Sequence, residues 1–104
     1  MKLFVYGTLL DNSGKPDHIM GDLYALSWFP GAINIGKSNE IIPGKIIDVD
    51  ADRLADFDKY EGVASGLYNR VKTTTLTGEE VWVYEYGQEL PKEAMKIKEW
   101  TRHG

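Results

Sequence analysis

Short strand-like segments separated by turn-forming residues limit this chain to folds in which strands predominate. The clearest pair is 67–76 and 80–86, because the connection 77–79 contains a glycine and is typical of a β-hairpin. In the second strand the side chains alternate, which predicts that Val81 and Val83 face one side of a sheet. The aromatic residues of that strand then face the other side: Trp82, Tyr84 and Tyr86.

Further strands are predicted in the first half of the chain. Residues 2–6 form a compact apolar run that ends at Gly7, which indicates a buried opening strand. Short apolar segments separated by glycine, asparagine and proline predict the others, at 22–28, 32–35 and 44–49. Turn-forming residues are dense over 9–21, so this segment is predicted to be a loop, with at most a short helical turn at 18–20.

Two segments carry the signals of helices. Asp50 has the residue type of an N-cap for a helix over 51–60, and Gly62 stands where a glycine commonly ends a helix. Pro91 is predicted to open a C-terminal helix that carries Leu90, Ala94, Ile97 and Trp100. Together the segments predict one α+β domain over 1–104, with a mixed, largely antiparallel sheet curled into a small barrel and two main helices.

The composition argues against several classes of function. The chain has 16 acidic and 12 basic residues, a net charge of −4, which disfavours a nucleic acid or an anionic membrane as its partner. It has no cysteine, which excludes disulfides, thiolate catalysis and zinc–sulfur sites. The N-terminal apolar run is too short for a signal peptide, and no segment approaches the length of a membrane span. A cytoplasmic protein is therefore expected.

Glu61 stands in an unusual place for a carboxylate. Helical spacing puts it on the same face as Leu54 and Phe57, which are predicted to point into the core. Burial and the partial negative charge of the helix C-terminus would both raise its pKa, as a general acid/base near neutral pH requires. The alternative is that the helix ends at Tyr60 and Glu61 turns to solvent, and the sequence alone favours it because predicted helix boundaries err by a few residues.

The segment Tyr6-Gly7-Thr8-Leu9 is a second candidate. A glycine at the end of the first strand lets the backbone bend sharply or approach a ligand closely. Successive N–H groups that leave a strand can form a concavity that binds an anion such as a carboxylate. The alternative is an ordinary turn from a strand into a loop.

Three motifs, in order along the chain, resemble one known family. FVYGTL at 4–9 is followed by Gly14-x-Pro16-x-His18, then come DKYEGVASGLYNR at 58–70 and VWVYEY at 81–86. Each motif alone is short, but their order and spacing over residues 3–86 resemble the γ-glutamyl cyclotransferase-like superfamily. The opening motif is similar to its AIG2-like or γ-glutamylamine cyclotransferase branch.

This resemblance implies a fold and a reaction. Family members convert a γ-glutamyl amide to 5-oxoproline and a free amine through attack by the substrate's own α-amino group, with no metal or organic cofactor. By resemblance, Glu61 is the acid/base residue, and backbone N–H groups of the turn hold the α-carboxylate of the small-molecule substrate. The turn residues are Tyr6, Gly7, Thr8 and Leu9. Tyr68 and, more weakly, Tyr84 are further substrate-binding residues, whereas Arg70 is expected to pair with a carboxylate structurally.

Two other functions stay open at this stage. One is a binding module that keeps the same pocket and sequesters a small metabolite with little turnover. The other is an interaction scaffold that uses exposed aromatic residues near Trp100. The sequence also leaves open the oligomeric state and the leaving group, which is an amino acid, a polyamine or the side chain of lysine.

Overall fold

The computed structural model describes residues 1–7, 14–27 and 29–100 of the chain. These contain eight strands, one α-helix and one 3₁₀ turn. The strands are β1 (Lys2–Val5), β2 (Lys15–Met20), β3 (Asp22–Ala25), β4 (Pro30–Ile33), β5 (Ile41–Asp48), β6 (Tyr68–Thr74), β7 (Glu80–Tyr86) and β8 (Met95–Ile97). The helix α1 is Ala51–Tyr60, and the 3₁₀ turn Val63–Ser65 comes soon after it.

The strands form two sheets. β1 lies in the middle of a five-stranded sheet whose order is β2-β5-β1-β7-β6. It pairs antiparallel with β5 and parallel with β7, so this sheet is mixed. The second sheet has three antiparallel strands in the order β4-β3-β8. The predicted α+β class, with a mixed and largely antiparallel sheet, is confirmed.

The predicted small barrel is wrong, because neither sheet closes on itself. The edges of the larger sheet do approach each other at one point. The N–H of Leu76, in the turn after β6, donates to the carbonyl of His18 in β2 over 2.9 Å. Beside it the Thr77 hydroxyl donates to the buried carboxylate of Asp17 over 2.5 Å. These bonds curl the sheet, but they join a turn to a strand and form no ladder.

The second predicted helix is also wrong. Residues 95–97 form β8 and pair with β3, where Leu23 stands opposite Ile97. The apolar spacing of this segment fits a helix locally, but pairing satisfies backbone groups of β3, and tertiary structure overrides the weak local preference. The prediction of a loop over 9–21 is wrong at 15–20 for the same reason. These residues form β2, which pairs with β5 and buries Ile19 fully.

The predicted helix α1 and the β6–β7 hairpin are confirmed. Asp50 caps α1 by accepting a hydrogen bond from the N–H of Arg53 over 2.8 Å. Beyond the C-terminus Gly62 adopts a φ of +67°, the left-handed conformation that favours glycine. Within the described parts of the chain, no helix is long and apolar enough to cross a membrane.

The alternation of β1 divides the core into two clusters. Phe4 lies in one cluster with Val81 and Val83, whereas Leu3 and Val5 lie in the other. The second cluster also contains Leu54 of α1 and two tyrosines from the hairpin, Tyr68 and Tyr84. The end of β1 therefore meets the end of α1 and the aromatic face of the hairpin, as the alternation of β7 predicts.

Candidate active site

A cavity of about 270 Å³ opens where β1 ends. Its wall is formed by β1, the start of β4, the end of α1 and the open end of the β6–β7 hairpin. Most of its lining is aromatic or aliphatic, and Glu61 is the only charged side chain among the described residues that line it. The lining residues are Phe4, Val5, Tyr6, Gly7, Phe29, Pro30, Tyr60, Glu61, Leu67, Tyr68 and Tyr84.

Glu61 is the C-cap residue of α1, and local geometry turns it toward the cavity. Its N–H donates to the carbonyl of Phe57 over 2.8 Å, so its backbone still follows the helix. The left-handed Gly62 then turns the chain away. The helix ends at Tyr60, as the alternative prediction states. The side chain of Glu61 nevertheless lines the cavity and is half-buried instead of turning to solvent.

The surroundings of Glu61 favour its protonated form. Burial raises the pKa of this carboxyl above the ordinary value of about 4.5. Its carboxylate makes no hydrogen bond or ion pair with any residue that the structure describes. A half-buried carboxylate without a donor is a stronger base than an exposed one, and such groups are common at sites of proton transfer.

The end of β1 holds the cavity wall closely against β4. The Tyr6 hydroxyl donates to the carbonyl of Tyr84 over 2.5 Å and accepts from the N–H of Ala32 over 3.2 Å. A side chain at Gly7 would have its Cβ only 2.9 Å from Cγ of Pro30, so this position requires a glycine or a shift of the proline ring. Thr8 and Leu9, the other two residues of the predicted turn, lie outside the described residues.

The rings of Tyr68 and Tyr84 line the cavity, but their hydroxyls are bonded to the protein. Tyr68 donates to the carbonyl of Pro30 over 2.6 Å, and its ring stacks edge-on against Tyr86. Tyr84 donates to Oδ1 of Asp58 over 2.7 Å. Burial raises the pKa of both phenols, and the negative charge of Glu61 contributes to each rise, so both stay protonated at neutral pH.

The role of Asp58 at the site is not predicted from the sequence. Asp58 accepts hydrogen bonds from both Tyr84 and Arg70, and the Arg70 Nε lies 2.9 Å from its Oδ1. Arg70 thus pairs with a carboxylate, as expected, but the sequence does not name the partner. The sequence does show that Asp58 lies one helical turn before Glu61, and this spacing indicates that the two carboxylates lie on the same side of α1. Pro30 belongs to the segment 28–31, for which the sequence leaves open a place in the pocket wall or in the core, and both Phe29 and Pro30 line the cavity.

Within the described part of the chain, no three or more histidine, cysteine, aspartate or glutamate side chains cluster so that they could hold a metal ion. The cavity is lined by one carboxylate, four tyrosines and an apolar wall. Such an arrangement can bind a small molecule with an apolar portion and can exchange a proton with it.

Comparison with known proteins gives a family and a fold. A family model described as "Gamma-glutamyl cyclotransferase, AIG2-like" matches residues 3–102. The crystal structure of an uncharacterized protein from Pyrococcus horikoshii superposes with a TM-score of 0.70 and 22% sequence identity. The match covers 94% of this chain and 86% of the other, and at this identity it shows the fold alone. No curated protein matches this chain significantly.

Proposed function

The chain belongs to the gamma-glutamyl cyclotransferase, AIG2-like family, and from this premise we propose that it converts a γ-glutamyl amide to 5-oxoproline and a free amine. One observation carries the proposal. Glu61 is a half-buried carboxylate with a raised pKa and no hydrogen bond or ion pair to a described residue, and it shares a cavity with Gly7 at the end of β1. A base and a backbone turn on one small cavity are the parts that this reaction requires.

The reaction balances within the substrate. The α-amino nitrogen attacks the γ-carbonyl carbon, which forms the ring C–N bond, and the amide C–N bond breaks. The α-ammonium group loses two protons and the leaving nitrogen gains two, so the products are 5-oxoproline and a protonated amine, with no water consumed. Glu61, as the carboxylate, accepts a proton from the ammonium group and delivers a proton to the leaving nitrogen.

Positioning supplies the rest of the catalysis. The turn Tyr6-Gly7-Thr8-Leu9 holds the glutamyl head group through backbone N–H groups directed at the α-carboxylate. Fixing this group keeps the amine next to the γ-carbonyl, and proximity of this kind lowers barriers by about 7–11 kcal/mol in favourable cases. The rings of Tyr68 and Tyr84 form the wall beside the reacting atoms.

The mouth of the cavity supports a leaving amine with an apolar substituent. Tyr60 and Leu67 line it and are 66% and 38% exposed, and both offer carbon surface rather than charge. Among the described residues, no lysine or arginine lines the cavity to face a second carboxylate. Among the three leaving groups that the sequence leaves open, a free amino acid fits this mouth worst.

The test is release of 5-oxoproline from a panel of substrates. The panel contains γ-glutamyl-isopentylamide, γ-glutamyl-alanine and γ-glutamyl-putrescine, assayed with the native chain and with Glu61→Gln. We expect the native chain to prefer the isopentylamide by about tenfold in kcat/KM. Glu61→Gln should lose about 10²- to 10⁴-fold in kcat, the usual contribution of a general acid/base, while still binding the substrate.

Glu93→Gln is the matched control, because Glu93 is exposed and does not line the cavity. It should leave turnover unchanged. Ligand binding by the native chain with no 5-oxoproline from any substrate would contradict the proposal. That outcome would instead support a module that sequesters a γ-glutamyl compound.

A further inference from the structure

Three of the four tyrosines that line the cavity donate their hydroxyl hydrogens to groups other than Glu61. For two of them the acceptor is a backbone carbonyl: Tyr6 donates to Tyr84 over 2.5 Å, and Tyr68 donates to Pro30 over 2.6 Å. A phenol has one hydrogen to donate, so neither can bond to the Glu61 carboxylate while it keeps its present bond. The fold fixes these backbone acceptors, and no single side chain controls them.

Tyr84 differs because its acceptor is a side chain. Its hydroxyl donates to Oδ1 of Asp58 over 2.7 Å, and Arg70 donates to the same oxygen over 2.9 Å. Tyr84 and Glu61 line the same cavity. Burial and the bond to Asp58 raise the pKa of Tyr84, so the phenol keeps its hydrogen at neutral pH. Asp58 stands one helical turn before Glu61, which is the next carboxylate along that side of α1.

We propose that Asp58 is a positioning residue, which holds the Tyr84 hydrogen away from Glu61 and so preserves Glu61 as a free base. The proposal rests on the proposed function, in which Glu61 takes a proton from the substrate. A hydrogen bond donated to a carboxylate stabilises its charged form and lowers its pKa. If Tyr84 turned its hydrogen to Glu61, the carboxylate would be a weaker base.

Among the described groups that share the cavity with Glu61, Tyr84 is the one phenol whose hydrogen-bond acceptor is a side chain. The titratable side chains that share the cavity wall are Tyr6, Tyr60, Tyr68 and Tyr84, and no cation lines it among the described residues. Tyr60 is mostly exposed at the mouth. Removing the Asp58 carboxylate also leaves the Arg70 guanidinium unpaired, so the test needs a reference variant that loses the same charge but keeps an oxygen acceptor.

The test measures the pKa of Glu61 by carboxyl ¹³C NMR in the chain without substrate. Asp58→Asn loses the charge but keeps an oxygen acceptor, so it provides the reference value of the Glu61 pKa. Asp58→Ala frees the Tyr84 hydrogen and should lower the Glu61 pKa by about one pH unit below that reference, the size of one net hydrogen bond. Adding Tyr84→Phe to Asp58→Ala removes the phenol and should return the pKa to the reference value.

A merely structural role for Asp58 would predict no rescue by the second substitution. A Glu61 pKa in Asp58→Ala that equals or exceeds the value in Asp58→Asn, or that is not restored in the double variant, would overturn the inference. Asp58→Leu, which keeps the volume without the acceptor, gives the same comparison if the alanine variant does not fold. The readout needs no turnover, so a shift and its rescue in a chain that releases no 5-oxoproline would contradict the proposed function and leave this inference standing.

Discussion

Glu61 keeps its carboxylate half-buried without a hydrogen bond to any described residue, and that arrangement opposes folding whenever the group is ionised. Such a residue does not stabilise the fold, since burying a glutamine or an apolar residue at the same place would have a smaller free-energy cost. The proposed role in proton transfer explains why a glutamate occupies position 61, because a base that works near neutral pH requires this environment.

We predict that Glu61→Gln stabilises the protein at neutral pH. The folded chain holds the Glu61 proton more tightly than the unfolded chain, because burial raises the pKa on folding. Its free energy of unfolding therefore falls as the pH rises from the unfolded pKa, near 4.5, through the raised folded value. Urea unfolding at pH 7 should show a higher midpoint for the variant, and the difference should disappear well below pH 4.5.

Glu93→Gln again provides the control, since an exposed glutamate loses little on folding and its replacement should not change the midpoint. A Glu61→Gln protein that is less stable than native at pH 7, or equally stable at every pH, would show that burial of this carboxylate has no folding cost.

At the scale of elements, the turn after α1 decides where Glu61 points. Gly62 adopts a φ of +67°, and a Cβ there would lie 3.2 Å from both Leu67 and Ser65. The same turn brings Leu67 to the mouth of the cavity. The backbone turn at Gly62 therefore positions both Glu61 and Leu67 at the cavity.

We predict that Gly62→Ala loses stability and activity together. An alanine in the left-handed conformation costs about 1–2 kcal/mol, and relief of the strain would move Glu61. Gly78→Ala is the matched control, because Gly78 has a φ of +94° but no atom within 4 Å of the added Cβ. It lies in the hairpin turn and should lose similar stability with kcat unchanged. Equal kcat in both variants would contradict the role assigned to the Gly62 turn.

The accuracy of prediction from sequence also differs between elements. α1 was predicted at its observed bounds because its signals are local: an aspartate cap, apolar spacing and a terminal glycine. β8 was mistaken for a helix because its pairing with β3 depends on residues about 70 positions earlier. The bonds from Tyr84 and Arg70 to Asp58 depend on how the hairpin approaches α1, and no local pattern encodes that.

At the scale of the whole molecule, the cavity depends on both sheets. The larger sheet supplies the ends of β1 and the hairpin, while the smaller sheet supplies Pro30 at the start of β4. Pro30 accepts the hydrogen bond of Tyr68 and packs against Gly7, so it joins two parts of the wall. The motifs that carry the family resemblance are far apart in sequence, and the fold brings Glu61 and Gly7 to one cavity.

The most direct measurement of the central claim is the pH dependence of kcat for 5-oxoproline release by the native chain. If Glu61 transfers the proton, activity should fall on the acid side with an apparent pKa above the ordinary glutamate value of about 4.5, because the carboxylate is the active form. The residual activity of Glu61→Gln should lack that limb. An acid limb that persists in Glu61→Gln, or a native profile that is flat across this range, would contradict the claim.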